Sequence, residues 1–193
     1  MNVRCLCSTR YIVAAIIAKE RSECYNFAMN KVTVKKAQII QRATQHMIEQ
    51  GLSDVGLRTL AKVAGTSDRM LIYYFETKDA LISEALHAIA ENLARQLDSV
   101  LGQHQRSAET LLAELLRLSH SPQFMLVIRL WFEAVGLAAR GQEPYAANAA
   151  AIANNWLQWI QSRLEHSQKE EAMALFAELE GRLMIKLIGL DSF

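Results

Sequence analysis

The residues of this chain best suited to a recognition chemistry stand close together: Arg69, Met70, Tyr73 and Tyr74 within DRMLIYYF (68–75), with Lys78 just beyond. None is a nucleophile poised beside a base. Together they offer a guanidinium, an ammonium, two phenols and a thioether on a stretch short enough to be one helix. An exposed stripe of Arg, Met and Tyr is poor surface for solubility alone and good surface for the major groove of a nucleic acid. The chemistry implied is non-covalent, made of hydrogen bonds and charge.

Such residues need something to hold them. LRTLAKVA (57–64) is helical in pattern, and Gly65-Thr66-Ser67 cuts it before the second segment begins. Two short helices joined by a tight Gly-containing turn are the signature of a helix-turn-helix. Leu60, Ala61 and Ala64 form the inner face of the first helix, and Gly65 supplies the positive φ that ends it abruptly. Ser67 is placed to cap the second helix. Leu71 and Phe75, four apart, share an inward face.

The rest of the chain supports an all-α fold: an N-terminal three-helix helix-turn-helix domain followed by a C-terminal helical domain. Its 193 residues are 51% hydrophobic with only 2 Pro and 8 Gly, which suits a buried helical core. A first helix runs from a Thr33 cap to Gln50, with Ala37, Ile40, Ala43, Thr44, Met47 and Ile48 on its apolar face and Gly51 as its stop. Thr77 caps a longer helix to Leu101. Four more helices fall near 106–119, 122–140, 144–166 and 168–189. The domains divide as 1–30, an extension or mis-assigned start in which Met29 is the expected natural start and 1–28 lie upstream of it; 31–78, the helix-turn-helix domain; and 79–193, the helical body.

Charge follows the same division. Residues 31–79 carry 8 basic and 5 acidic side chains, whereas residues 80–193 carry 9 and 13. A basic module on an acidic body fits a nucleic-acid-binding head. The 3 cysteines, Cys5, Cys7 and Cys24, are odd in number and confined to the N-terminal extension, which argues for a reducing compartment and free thiols. YIVAAIIA (11–18) is too short for a membrane span. His46, His87, His104, His120 and His166 are scattered singly, and no metal-ligand spacing, phosphate-cradling Gly loop or nucleophile–base set appears. The expectation is therefore not an enzyme, with no metal and no cofactor, in the cytoplasm and away from the membrane.

The stretch from Val34 to Leu86 resembles the N-terminal domain of the TetR family of bacterial transcriptional regulators, carried by LRTLAKVAGTS and DRMLIYYFETKDALI. LWFEAVGLAARG and NNWLQWIQSRL resemble that family's ligand and dimerisation domain less closely. The resemblance implies phosphate contacts from Thr33, Thr59, Thr66, Ser67, Tyr73, Tyr74 and Lys78, and base contacts from Arg69 and Met70. It also implies a homodimer on a palindromic DNA operator, most often a repressor released by a small-molecule effector. The departures are Arg69 where the family often has a small residue, Ile72 where it often has tyrosine, and Gly56 in place of a capping threonine.

For the body, the resemblance implies an effector pocket and a two-fold interface built from the last two helices. Phe124, Met125, Ile128, Trp131, Phe132 and Val135 are the pocket candidates on the middle helix, closed by Trp159 and Met184. Arg129 and Glu133, four apart, read as a surface pair. An effector in such a pocket is small and largely apolar. Trp156, Ile160, Leu164, Leu175, Leu179 and Leu183 are the interface candidates. The rival reading is a helical small-molecule-binding protein with a degenerate DNA-binding domain.

Overall fold

The computed structural model describes residues 31–190. The Met29 start and the free thiols expected of the N-terminal extension lie outside the described residues. Contacts within the chain group it into two units that meet between residues 39 and 40. Of the first unit only 31–39 are described, and these are helical. The second holds everything else discussed below.

Helix α1 covers 31–50 of the described residues. Thr33 is therefore inside a helix already running and does not cap it. The buried positions are Ile39, Ala43 and Met47, spaced by four. This stripe is rotated from the expected one: Ala37 is exposed because two residues from Ile39 is more than half a turn away. Gly51, at φ 79°, ends the helix. Then come α2 (Leu57–Ala64), α3 (Asp68–Phe75) and the 24-residue α4 (Lys78–Leu101). The body adds α5 (Ala108–Leu118), α6 (Pro122–Ala139), α7 (Tyr145–Arg163) and α8 (Ala172–Leu187). No strand occurs among the described residues.

Most starts are chemically marked. The hydroxyl oxygen of Thr77 accepts the Ala80 N–H at 3.0 Å, and that of Ser107 accepts the Thr110 N–H at 3.2 Å. Ser121 precedes Pro122, whose missing N–H costs nothing in a first turn. The end of α7 and the start of α8 differ from expectation, because the chain leaves the helix at Leu164. There Arg106 N–H donates to the Arg163 carbonyl at 2.9 Å and Glu165 N–H donates to the Arg106 carbonyl at 3.0 Å. This local backbone pairing outcompetes another helical turn. A 3-10 segment, His166–Glu171, then leads into α8.

The core of the body is Leu93, Leu97, Leu111, Leu115, Ile160 and Leu164, joined by the inner face of α8. α6 packs on α7 and α8, α5 on α8, and α4 on both α3 and α7. By length and composition α6 could cross a membrane. Here its Ile128, Leu130 and Ala134 are buried, while Arg129 on the opposite side is exposed.

Two arginines enter this core with partners. Buried Arg106 donates to Glu114, to the Leu101 carbonyl at 2.8 Å and to the His104 carbonyl at 3.2 Å. Arg163 donates to Asp98, which also accepts Trp159 Nε1–H at 2.9 Å. Burial pushes the Asp98 carboxyl up, but the hydrogen bonds from Arg163 and Trp159 outweigh that and hold it below its ordinary 3.8. A carboxyl lowered in the folded state stabilises the fold above its unfolded value and loses that contribution as pH falls through the folded one. Acid unfolding of Asp98→Asn should therefore depend less steeply on pH below about 4 than that of the wild type, as read by helical circular dichroism. Leu164→Ala should lower unfolding free energy by about 2–5 kcal/mol in a denaturant titration.

Candidate nucleic-acid interface and ligand cavity

The turn between α2 and α3 is built around Gly65. Its φ of 64° turns the chain, and its N–H donates back to the Ala61 and Lys62 carbonyls. The Thr66 N–H also reaches Ala61, at 3.0 Å. Arg42 from α1 adds a contact the residue pattern did not announce: its Nη1 donates to the Ala64 carbonyl at 2.9 Å. A Cβ at residue 65 would lie 2.6 Å from that nitrogen. Glycine is thus needed for the backbone angle, and a larger residue would also make the Arg42 guanidinium shift. At the other end of α2, Gly56 offers no side-chain cap, as the departure from the family pattern implied.

α3 is held at its start by Ser67, whose oxygen accepts the Met70 N–H at 3.3 Å, and from beneath by buried Leu71 and Phe75. This rotation leaves Arg69 exposed, with Ile72 40% and Tyr73 66% exposed, and Met70 and Tyr74 half-buried at the edges. The rings of Tyr73 and Tyr74 meet edge to face at 5.2 Å. Lys78 is exposed with Asp79 4.0 Å away, a weak surface pair.

Arg69, Met70, Tyr73, Tyr74 and Lys78 thus lie along α3 and the start of α4. Thr66 and Ser67 stand at the N-terminus of α3, where exposed N–H groups favour anions. Thr59, expected at a phosphate, lies on α2 with its hydroxyl donating to Asp54 at 3.1 Å. Thr33 lies on α1 in the other unit.

A cavity of about 70 Å³ lies between α4, α6, α7 and α8. Of the expected lining, Phe124, Ile128, Trp131 and Trp159 face it. Met125 and Phe132 pack against the core instead, and Val135 is half-buried away from the cavity. Met184 is 50% exposed on the far side of α8 and closes nothing. The pattern missed Trp156, Phe176 and Glu180. Trp156 carried a signal, since it is one turn from Trp159, an expected lining residue, whereas Phe176 had no such neighbour. Glu180 carried none, because a glutamate on a helix ordinarily faces water.

Nor does Glu133 pair with Arg129. Its Oε1 accepts the Leu52 N–H at 2.9 Å, across 81 residues of sequence, and a Cβ on Gly51 would come within 2.7 Å of Oε2. The loop after α1 therefore rests on the same helix that walls the cavity.

The interface expectation needs correction. Ile160, Leu164, Leu175, Leu179 and Leu183 are 0–8% exposed within a single chain, so they form its core and leave no surface for a partner. Trp156 lines the cavity. The apolar surface of α8 is a different stripe: Met173 and Met184 are exposed, as is Ile188 beyond the helix end, with Ala177 and Gly181 between them at helical spacing. No cluster of three metal-ligating side chains occurs among the described residues.

Comparison with known proteins agrees with this geometry. Residues 39–85 match the model of the bacterial regulatory proteins of the tetR family. Over 60 residues the chain is 35% identical to the HTH-type transcriptional regulator BetI of Stenotrophomonas maltophilia (strain R551-3), a match spanning 31% of either protein. A TetR-family regulator from Rhodococcus sp. superposes with a TM-score of 0.66 at 20% identity, over 82% of this chain and 89% of that one. A regulator from Saccharomonospora viridis, solved in complex with choline, gives 0.57 at 19% identity over 83% and 88%. These structural likenesses establish a shared fold, and the likeness to the tetR family of bacterial regulatory proteins rests on the helix-turn-helix segment, residues 39–85.

Proposed function

We propose that the protein is a cytoplasmic, homodimeric, sequence-specific DNA-binding regulator whose helical body takes a small, largely apolar effector. The observation that carries this reading is the exposed face of α3. Arg69, Ile72 and Tyr73 project from a helix whose opposite side is locked into the core by Leu71 and Phe75. Nothing in the packing of a lone protomer requires that face. Arg69 is suited to guanine, whose O6 and N7 accept a bidentate guanidinium, and the Tyr73 phenol and Lys78 are suited to phosphate. Residues 31–78 serve as the DNA-binding part and 79–193 as the effector and dimerisation part.

One helix reads one half-site, so useful affinity needs two copies with their recognition helices about 34–36 Å apart. The Met173–Ile188 stripe of α8 is the self-complementary surface we assign to that dimer, its small central Ala177 and Gly181 allowing close approach. The choline held by the Saccharomonospora viridis regulator supports a small-molecule role for the body of this fold. Release of DNA would follow from a population shift towards a poorly fitting spacing of the two heads.

Glu133 is placed to transmit that shift. It holds Leu52, next to the helix-turn-helix, from a helix lining the cavity. Burial pushes the phenol of Tyr145 upward, and the charges of Glu133 and Asp79 add to the effect, so these three groups share one junction.

Sequencing of DNA fragments selected by the purified protein, repeated across a salt series, tests the reading. A palindromic motif with affinity falling steeply as salt rises is the expected result. Absence of any motif, with weak binding even at low salt, would sink it. Arg69→Ala should cost about 1–3 kcal/mol in operator affinity and relax one base position, whereas Lys78→Ala should weaken all sequences alike and reduce the salt slope by about 1. Glu133→Ala should leave effector affinity within about twofold while reducing the effector's influence on DNA binding, a coupling change of roughly 0.5–2 kcal/mol.

A further inference from the structure

Twenty residues line the cavity, and Glu180 is the one ionisable side chain among them. Its two oxygens share a single donor, Trp131 Nε1–H, at 3.1 and 3.0 Å. An ionised carboxylate has about four acceptor positions. Among the described residues no arginine, lysine or histidine pairs with it. Asp98, a short distance along the same body, shows what a satisfied carboxylate looks like here, with a guanidinium and an indole N–H on one oxygen. Glu180 has the indole and lacks the cation. Burial pushes its carboxyl up, and the Trp131 hydrogen bond offsets only part of that.

The surroundings point the same way. All 3 tryptophans of the chain, Trp131, Trp156 and Trp159, line the cavity. Trp156 and Trp159 meet edge to face at 5.7 Å. The Arg163 guanidinium already lies 5.3 Å from the centre of the Trp159 ring, so this aromatic cluster holds one cation from the protein itself. Indole faces beside an anionic group are suited to an organic cation, which draws on ring quadrupole and carboxylate together.

We propose that the cavity binds a small organic monocation, an alkylated or quaternary ammonium, with its charge against Glu180 and its alkyl groups against the tryptophan rings. A neutral ligand would leave the carboxylate without a counter-charge, and an anion would add a repulsion. The size is bounded as well. At roughly 10–15 Å³ per water-sized position, 70 Å³ admits only a handful of non-hydrogen atoms without the walls moving. The proposal names the chemistry of the effector and in that respect rests on reading the body as an effector-binding domain.

Because the chain has no tryptophan outside the cavity, indole fluorescence, excited at the red edge where the tyrosines do not absorb, reports on this site alone. The full-length protein is titrated with tetramethylammonium chloride, against sodium chloride as the salt control, and with tert-butanol as an uncharged molecule of similar size. Saturation by tetramethylammonium at a concentration about tenfold or more below that for tert-butanol is expected. Glu180→Gln keeps an acceptor for Trp131, and it should erase the preference for the cation while leaving the tert-butanol response in place. Equal response to both probes in the wild type, no saturable response to the cation, or a cation preference that survives in Glu180→Gln would each overturn the proposal. Operator affinity with and without tetramethylammonium is measured in parallel. A cation preference abolished by Glu180→Gln, with DNA binding indifferent to the ligand, upholds the site and removes its regulatory role.

Discussion

One apolar stripe along α4 sets the terms for everything else. The helix is 24 residues long, about 36 Å at 1.5 Å per residue, without a break. Near its start Leu81, Ile82 and Ala85 are buried where α4 packs on α3. Further along, Leu86, Ile89, Leu93 and Leu97 wall the cavity. A single continuous helix therefore packs on α3 at one end and walls the cavity along its length. Had α4 been interrupted, head and cavity would have been free to move independently, and Glu133 would be left as a lone tether.

The helix-turn-helix was legible in the sequence because its constraints are local. Gly65, Ser67 and Thr77 each act within four residues, and Leu71 with Phe75 settles the rotation of α3 by spacing alone. Arg42 was not legible, since its contact with the Ala64 carbonyl spans 22 residues. The body was read correctly as to its helices and less well as to their faces. α8 is apolar nearly all round, so periodicity could not say which stripe meets the core. Leu175, Leu179 and Leu183 went inward, and the outer stripe went to the flexible and small residues, Met173, Ala177, Gly181 and Met184. The same ambiguity put Met184 in the expected pocket. The α7–α8 connection was misjudged because the Arg106–Leu164 backbone pairing joins residues far apart in the chain.

Buried charge divides the body into settled and unsettled regions. Arg106 is surrounded by a carboxylate and two carbonyls, and Arg163 by Asp98 and an indole face. The charges of such clusters are paired without any ligand, although Nε of each arginine is buried with no hydrogen-bond partner, and they hold the ends of α4, α5 and α7 together. The carboxylates of Glu133 and Glu180 are held differently, each by one N–H from an element across the fold. A single neutral donor compensates a buried carboxylate only in part. Both lie on helices that wall the cavity, one beside it and one within it.

This arrangement makes the small size of the cavity informative. A ligand larger than a few atoms needs α6 or α8 to yield, because α4 is fixed by its contacts with α3 and α7. Movement of α6 displaces Glu133 and with it the Leu52 loop, whereas movement of α8 displaces the outer stripe assigned to the partner. In the proposed dimer either route would change the relation between the two heads without altering the surface of α3. A ligand can shift that equilibrium only by as much as it prefers the expanded state. Bulk that does not fit the cavity as it stands supplies such a preference, and so does a charge that only the occupied site neutralises. Specific recognition and conformational leverage would then come from the same few side chains: Trp131 and Glu180 for the ligand, Glu133 for the response.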